Sequence, residues 1–217
     1  MTTPNLNFRI DGAEAVGIAA VPTLWFKLHI DETTGASIRS LTIQVQLRIA
    51  AAQRHYSADE QTRLIELFGR PDAWNTSLKG FLWTNAIVLV PKFTGTTQIN
   101  LPVTCTYDFD VLSAKYFSGL DDGDIPLEFL FSGTVFYDGP DGDLQVVQIS
   151  WEKEADFRLP VLVWKQMMQS YFKGTAWVRL KKDTFDRLYG YKSRHGHPTW
   201  EAALDELLGQ RDAKVAS

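Results

Sequence analysis

The stretch SRHGHPTW sets His195 and His197 two residues apart, beside Arg194. Two imidazoles at that spacing chelate a metal when a strand holds both on one face. Gly196 between them and Pro198 after them argue against a strand. A polar loop leading into a helix capped by Thr199 is the favoured reading, because a metal site needs three or four ligands. The other histidines lie far off in sequence, His29 at the expected end of a strand and His55 before a helix. Oxygen ligands for hard cations are offered by Asp121, Asp122, Asp124 and Glu128 in LDDGDIPLE, and by Asp138, Asp141 and Asp143 in YDGPDGD. Neither stretch follows the twelve-residue calcium loop, which wants acids at alternate positions, glycine at six and glutamate at twelve. Solvated turns are expected there, with weak calcium binding between two such loops as the alternative.

Paired carboxylates also serve glycoside hydrolysis, and Glu128, Glu152, Glu154 and Asp156 lie on or near expected strands. Sequence alone selects no pair among them. Cys105, the single cysteine, falls in the apolar set of its strand and reads as a small buried hydrophobe rather than a nucleophile. It excludes an internal disulfide and a thiolate metal site within one chain. The chain contains no G-x-S-x-G, Walker A, dinucleotide fingerprint or H-E-x-x-H. No catalytic, cofactor-binding or metal residue is therefore assigned, and no cofactor is expected.

The seven tryptophans offer a different chemistry, that of stacking platforms and interface anchors. Trp25, Trp83, Trp151 and Trp177 fall in strand-like runs and are expected in the core. Trp74, in the polar run GRPDAWNTSLKG, is the candidate partner-binding residue, with the loop from 70 to 80 around it.

The elements that must position these residues show in the hydrophobic rhythm. In IRSLTIQVQLRIA, Leu41, Ile43, Val45, Leu47 and Ile49 alternate with Thr42, Gln44, Gln46 and Arg48, the pattern of a half-buried antiparallel strand. The same rhythm puts Ile99, Leu101, Val103, Cys105, Tyr107 and Phe109 on one face, with Pro102 on the other marking an edge or bulge. A central strand is expected near 125 to 137, apolar on both faces, then a tight turn at 138 to 143 in which Gly139 and Gly142 take positive φ. LQVVQISWE returns as its hairpin partner. TLWFKLHID and FLWTNAIVLV add strands, and GTAWVRL a short last one. Helices are fewer. One follows the capping box Ser57 to Glu60 and stops at Gly69 and Pro71. Others are expected from Pro160 to Gly174, over DTFDRLYGY, and from Thr199 to a C-cap at Gly209. The fold class is mainly β, an antiparallel β-sandwich or curled sheet with a few peripheral helices towards the C-terminus. One domain over 1–217 is expected: a β-rich part at about 6–159, a helix-rich part at about 160–208 and a frayed tail at 209–217. A separate helical subdomain from about 160 is the alternative.

Composition bounds the setting. Of 217 residues, 45% are hydrophobic and 22% charged, a folded and soluble balance. The formal charge of −4, with short basic clusters at Arg179, Lys181, Lys182 and at Lys192, Arg194, argues against a nucleic-acid partner. The N-terminal MTTPNLNFRIDGAE lacks a basic region followed by an apolar one, and no apolar run is long enough for a membrane span. A cytoplasmic protein is expected.

Longer stretches carry a family resemblance. LTIQVQLRIAA leads to the Ser-capped helix and LFG; then come LWTNAIVLVPKFTGTTQINLPVTCTYDFDVLSAKYF, LPVLVWKQMMQSYFKGTAWVRL and a terminal PTWEAALDELL. Over about 9 to 208 the chain resembles an uncharacterised, mainly actinobacterial protein family often encoded near oxygen-tolerant [NiFe] hydrogenase genes. The family has no established catalytic residues, so none is carried over. The resemblance implies an accessory role in hydrogenase assembly, maturation or scaffolding, with hydrogenase subunits or maturation factors as partners. One cysteine and unclustered histidines suit protein binding better than delivery of nickel or an iron–sulfur cluster. The expected function is thus a non-catalytic protein-binding sandwich that uses exposed aromatic loops or an unpaired sheet edge. The alternatives are a carbohydrate- or small-ligand-binding sandwich and an enzyme with a carboxylate cleft. A homo-oligomer through an edge strand is compatible with all three.

Overall fold

The computed structural model describes residues 3–106, 108, 111–173, 175 and 178–215. Among the described residues nine strands form two antiparallel sheets. The smaller has the order β1 (Leu6–Ala15), β2 (Thr23–Glu32), β6 (Thr96–Thr104). The larger has the order β4 (Phe81–Val90), β3 (Ser37–Ile49), β7 (Asp124–Asp138), β8 (Leu144–Gln148), with β5 (Phe93–Thr94) also on β3 and β9 (Glu154–Pro160) also on β7. The alternation read from the sequence decides which face is buried. Leu41, Ile43, Val45, Leu47 and Ile49 point inward from β3, and Leu24, Phe26, Leu28 and Ile30 from β2. Between the layers, the Phe26 ring meets Phe129 edge-on at 5.2 Å and Phe157 at 6.0 Å, while Phe8 stacks on Phe131 at 4.3 Å. Full burial of such side chains stabilises by about 1.5–3 kcal/mol each, so this interlayer contact is the main apolar source of stability. The fold is a mainly β antiparallel sandwich.

β7 is the central strand, as its two apolar faces require. It pairs with β3 on one side, and on the other with β9 along one half and β8 along the rest. The change of partner occurs at Gly133. Its φ is +141° and an added Cβ would lie 2.0 Å from the Thr42 carbonyl oxygen, so only glycine fits. In the turn that leads into β8, Gly142 has the expected positive φ but Gly139 does not. A Cβ at 139 would approach Asp143 Oδ1 to 2.2 Å, so a larger residue there would displace that exposed side chain.

Six α-helices complete the described chain. α1 (Ala58–Phe68) starts at the Ser57–Glu60 capping box and ends at Gly69, as read from the sequence. α2 (Trp74–Ser77) is one turn. α3 (Leu112–Gly119) was not expected; it buries Tyr116 and Phe117, and Gly119 sits against Leu64 of α1. α4 (Val161–Phe172) buries Val161, Trp164, Met167 and Met168 in the sandwich core. It is closed by Lys173 in the left-handed region; Gly174, the expected cap, lies outside the described residues.

The chain folds as two compact units, Met1–Trp177 and Val178–Ser217, where one domain was expected. The apolar face of α4 places that helix in the first unit. The second unit holds α5 (Lys182–Arg194) and α6 (Trp200–Val215), with the Trp200 ring 5.5 Å from Phe185 and 6.1 Å from Tyr189. α6 runs through Gly209, so the expected C-cap there is corrected: glycine inside a helix lowers its stability without stopping it. The expected strand GTAWVRL is absent at 178–180, which have no regular structure, and its Trp177 lies outside the described residues, as do Tyr107 and Phe109. Among the described residues no helix is long and apolar enough to cross a membrane.

Candidate functional site

Trp74 is not the exposed anchor that the polar run around it suggests. It is 9% exposed. Its Nε1 donates to the Gly69 carbonyl at 2.9 Å, and its ring meets Tyr56 at 5.2 Å and Phe68 at 5.9 Å, both edge-on. The loop from 70 to 80 winds into two short helical turns that fold the indole back onto α1. Trp151 shows the opposite outcome. Expected in the core, it is 90% exposed. Val147 and Ile149 do alternate inward, but the chain leaves the strand at Gln148 and turns tightly, with Lys153 N donating to Ser150 O. The turn breaks the period, and the indole is turned out into solvent. Trp83 packs on Phe117 at 4.8 Å, and Trp25 is exposed on β2.

Most of the other candidate groups are engaged in structure. His29 lies within β2 rather than at its end, between Asp11 and Asp31, with Nε2 3.0 Å from Asp31 Oδ1. His55 is exposed before α1. His195 stacks on Tyr191 at 4.1 Å. His197 Nε2 is 2.9 Å from Glu206 Oε2, an ion-pair distance without hydrogen-bond alignment. The Tyr191 hydroxyl, donating to Glu206 Oε1, together with the two nearby histidines holds that carboxyl below its ordinary range against the opposing effect of desolvation. Asp121 pairs with Arg63, Asp138 with Arg39, and Asp143 with Gln145. Glu128 and Asp156 are directly opposite on the outer face of β7 and β9, but Arg48 and Gln53 both reach Glu128. Burial pushes the Cys105 thiol up to about 12, so it stays protonated and unreactive. Among the described residues no three His, Cys, Asp or Glu side chains gather as a metal-ligand group.

What the fold does bring together is a surface on the outer face of the larger sheet. An open groove of about 490 Å³ is floored by Gln44 and Gln46 of β3, Asn85 and Ile87 of β4, and Leu130 and Ser132 of β7, with Trp151 beside it. The register makes these one patch: Gln44 is opposite Ile87 and Ser132, and Gln46 is opposite Asn85 and Leu130. No charged residue lines the groove. Among the described residues the Gln44, Gln46 and Asn85 amides have no side-chain partner, which leaves donors and acceptors free beside apolar contact area.

Comparison with known proteins adds kinship. The model of a family described as "Family of unknown function (DUF6084)" matches residues 3–216. The chain belongs to that family. No curated protein matches the sequence. The solved structures similar to this DUF6084 chain include two at 12% identity and a TM-score of 0.27. One is the CARDB domain of a Pyrococcus furiosus protein in complex with di-metal ions, with 72% of this chain and 91% of that one covered. The other is a β-glucosidase from Kluyveromyces marxianus, with 73% and 15% covered. At that TM-score neither likeness carries an argument.

The groove was partly legible. The alternation in β3 marks Gln44 and Gln46 as outward, whereas FLWTNAIVLV reads as a strand whose run of apolar residues at 86–90 does not say that Ile87 and Leu89 face out. No local signal marks Trp151, because its exposure follows from where β7 changes partner.

Proposed function

We propose that this protein is a non-catalytic accessory module that binds another protein on the outer face of its larger sheet. The observation that carries the reading is Trp151, a fully presented indole beside an uncharged floor of amides and aliphatic side chains. Tryptophan is enriched among residues that dominate interface energies, and depletion of charge marks the centre of an interface. The partner this surface fits is an uncharged segment of a protein, whose backbone groups meet the amides and whose apolar side chain packs on Trp151 and Ile87. The family resemblance directs the search to hydrogenase subunits and maturation proteins. The test is quantitative pull-down from cells that express the hydrogenase, comparing wild type with Trp151→Ala. Specific capture of a hydrogenase component by wild type, lost in the variant, supports the reading. Equal capture by both overturns it.

A second reading rests on the same three free amides, which also suit the hydroxyls of a neutral sugar beside a stacking indole. It predicts that neutral oligosaccharides quench the fluorescence of wild type but not of Trp151→Ala.

A further inference from the structure

β4 is an edge strand. It pairs with β3, and no described strand pairs with its other side. Bare edges template pairing with another chain, so natural edges are blunted by charge, proline, bulges or shortness. The other edges obey this. β1 carries Arg9, Asp11 and Glu14 and a register shift between Ile10 and Ala13. β6 carries Pro102, β9 carries Glu154, Asp156 and Arg158, and β8 is 5 residues long. β4 departs from the rule. Its 10 residues, FLWTNAIVLV, include no charge, no proline and no glycine. A register shift marks one end, where Leu47 and Arg48 face Thr84 and Leu82. Pro91 and Lys92 close the other end. The regular stretch between them, Thr84–Val90, is centred on Ile87, which is 67% exposed.

We propose that β4 pairs antiparallel with β4 of a second copy of this chain, with the two-fold axis at Ile87, so that two six-stranded sheets become one continuous sheet. When identical strands meet in this way, the residue on the axis faces itself, and a charge there would repel its own copy. Ile87 instead meets Ile87. On the outer face Asn85 comes opposite Leu89; on the inner face Ala86 comes opposite Val88 and Thr84 opposite Val90. The register keeps outward residues against outward ones and inward residues against inward ones. The pairing also changes the groove, because Asn85, Ala86 and Ile87 form its β4 side. The two grooves meet at the axis as one trough with a Trp151 towards each far end. The two β7 strands lie five strand spacings apart, about 24 Å. The pairing rests on β4 alone and does not depend on the partner reading.

The test is sedimentation velocity of the full chain over a wide micromolar range, with wild type, Ile87→Lys on the axis, Leu144→Lys on the β8 edge and Trp151→Ala. Wild type, Leu144→Lys and Trp151→Ala are expected to be dimers. Ile87→Lys is expected to be a monomer with an unchanged circular-dichroism spectrum. A cysteine scan gives an independent readout, since buried Cys105 is the only native thiol. Ile87→Cys should cross-link to itself with a short bismaleimide, and Leu144→Cys should not. A wild type that stays monomeric, a dimer that survives Ile87→Lys, or cross-linking at Leu144→Cys instead of Ile87→Cys overturns the proposal. Loss of partner capture in Trp151→Ala with the dimer intact would separate this pairing from the partner-binding reading.

Discussion

Arg54 Nη2 donates to Glu60 Oε1 at 2.7 Å, and the two side chains are only 7% and 2% exposed. The pair is a junction rather than an isolated ion pair. Arg54 also donates to the Asp122 and Asp124 carbonyls, and Glu60 accepts from the Asp121 and Ser57 amides. One carboxylate thus caps α1 and ties the 121–124 loop to it, just before β7 begins. The acidic run LDDGD is held through its backbone.

Removing one member of a buried, hydrogen-bonded pair leaves the other uncompensated. Glu60→Gln is expected to lower the unfolding free energy by about 3 kcal/mol, measured by urea denaturation at neutral pH. A loss below about 0.5 kcal/mol would show that solvent screens the pair as it does at a surface.

Acid should unfold the protein through the same kind of group. Burial works to raise the Glu60 carboxyl, but the Asp121 and Ser57 amides and Arg54 outweigh it and hold the carboxyl below its ordinary 4.5. For Glu32 burial is likewise outweighed, by hydrogen bonds from Thr34, Asn5 and Ala36. A depressed folded pKa adds stability that is present above the unfolded value and is lost as pH falls through the folded one. The urea midpoint of wild type should therefore drop from pH 4.5 downward, and the gap between wild type and Glu60→Gln should narrow over that window. A gap that is constant down to the acid limit would exclude this linkage.

Trp74→Ala should cost about 3 kcal/mol or more of stability, because it empties the space between Tyr56 and Phe68 and removes the bond to Gly69. Trp151→Ala should change stability by less than about 0.5 kcal/mol, since its side chain stands in solvent. Urea titrations of the two variants side by side check this inversion of the roles that their sequence surroundings suggest.

Gly133→Ala should destabilise by about 2 kcal/mol or more, since the new Cβ meets the Thr42 carbonyl in a backbone region closed to alanine. Thermal unfolding by circular dichroism measures it. An unchanged midpoint would mean that β3 and β7 separate there at little cost.

Local pattern was enough for everything that repeats along the chain. Period-two alternation placed β3 and β6, chose their buried faces and marked Gln44 and Gln46 as outward. The Ser57–Glu60 box started α1, and Thr199, whose hydroxyl accepts from Ala202 N, started α6. These signals are legible because each depends on residues within a few positions of one another. The tertiary structure decided what depends on distant neighbours. Trp74 is buried because Phe68 of α1 and Tyr56, just before that helix, stand at the right height, and no residue beside it in sequence announces that. Trp151 is exposed because β7 exchanges β9 for β8 at Gly133, which forces a turn where the alternation would have carried the indole inward. β4 became an edge through strand order, not through its own residues. Its lack of charge gains meaning only once the sheet shows that no described strand pairs with its free side, since alternation sets the direction of a side chain and topology alone sets what it meets.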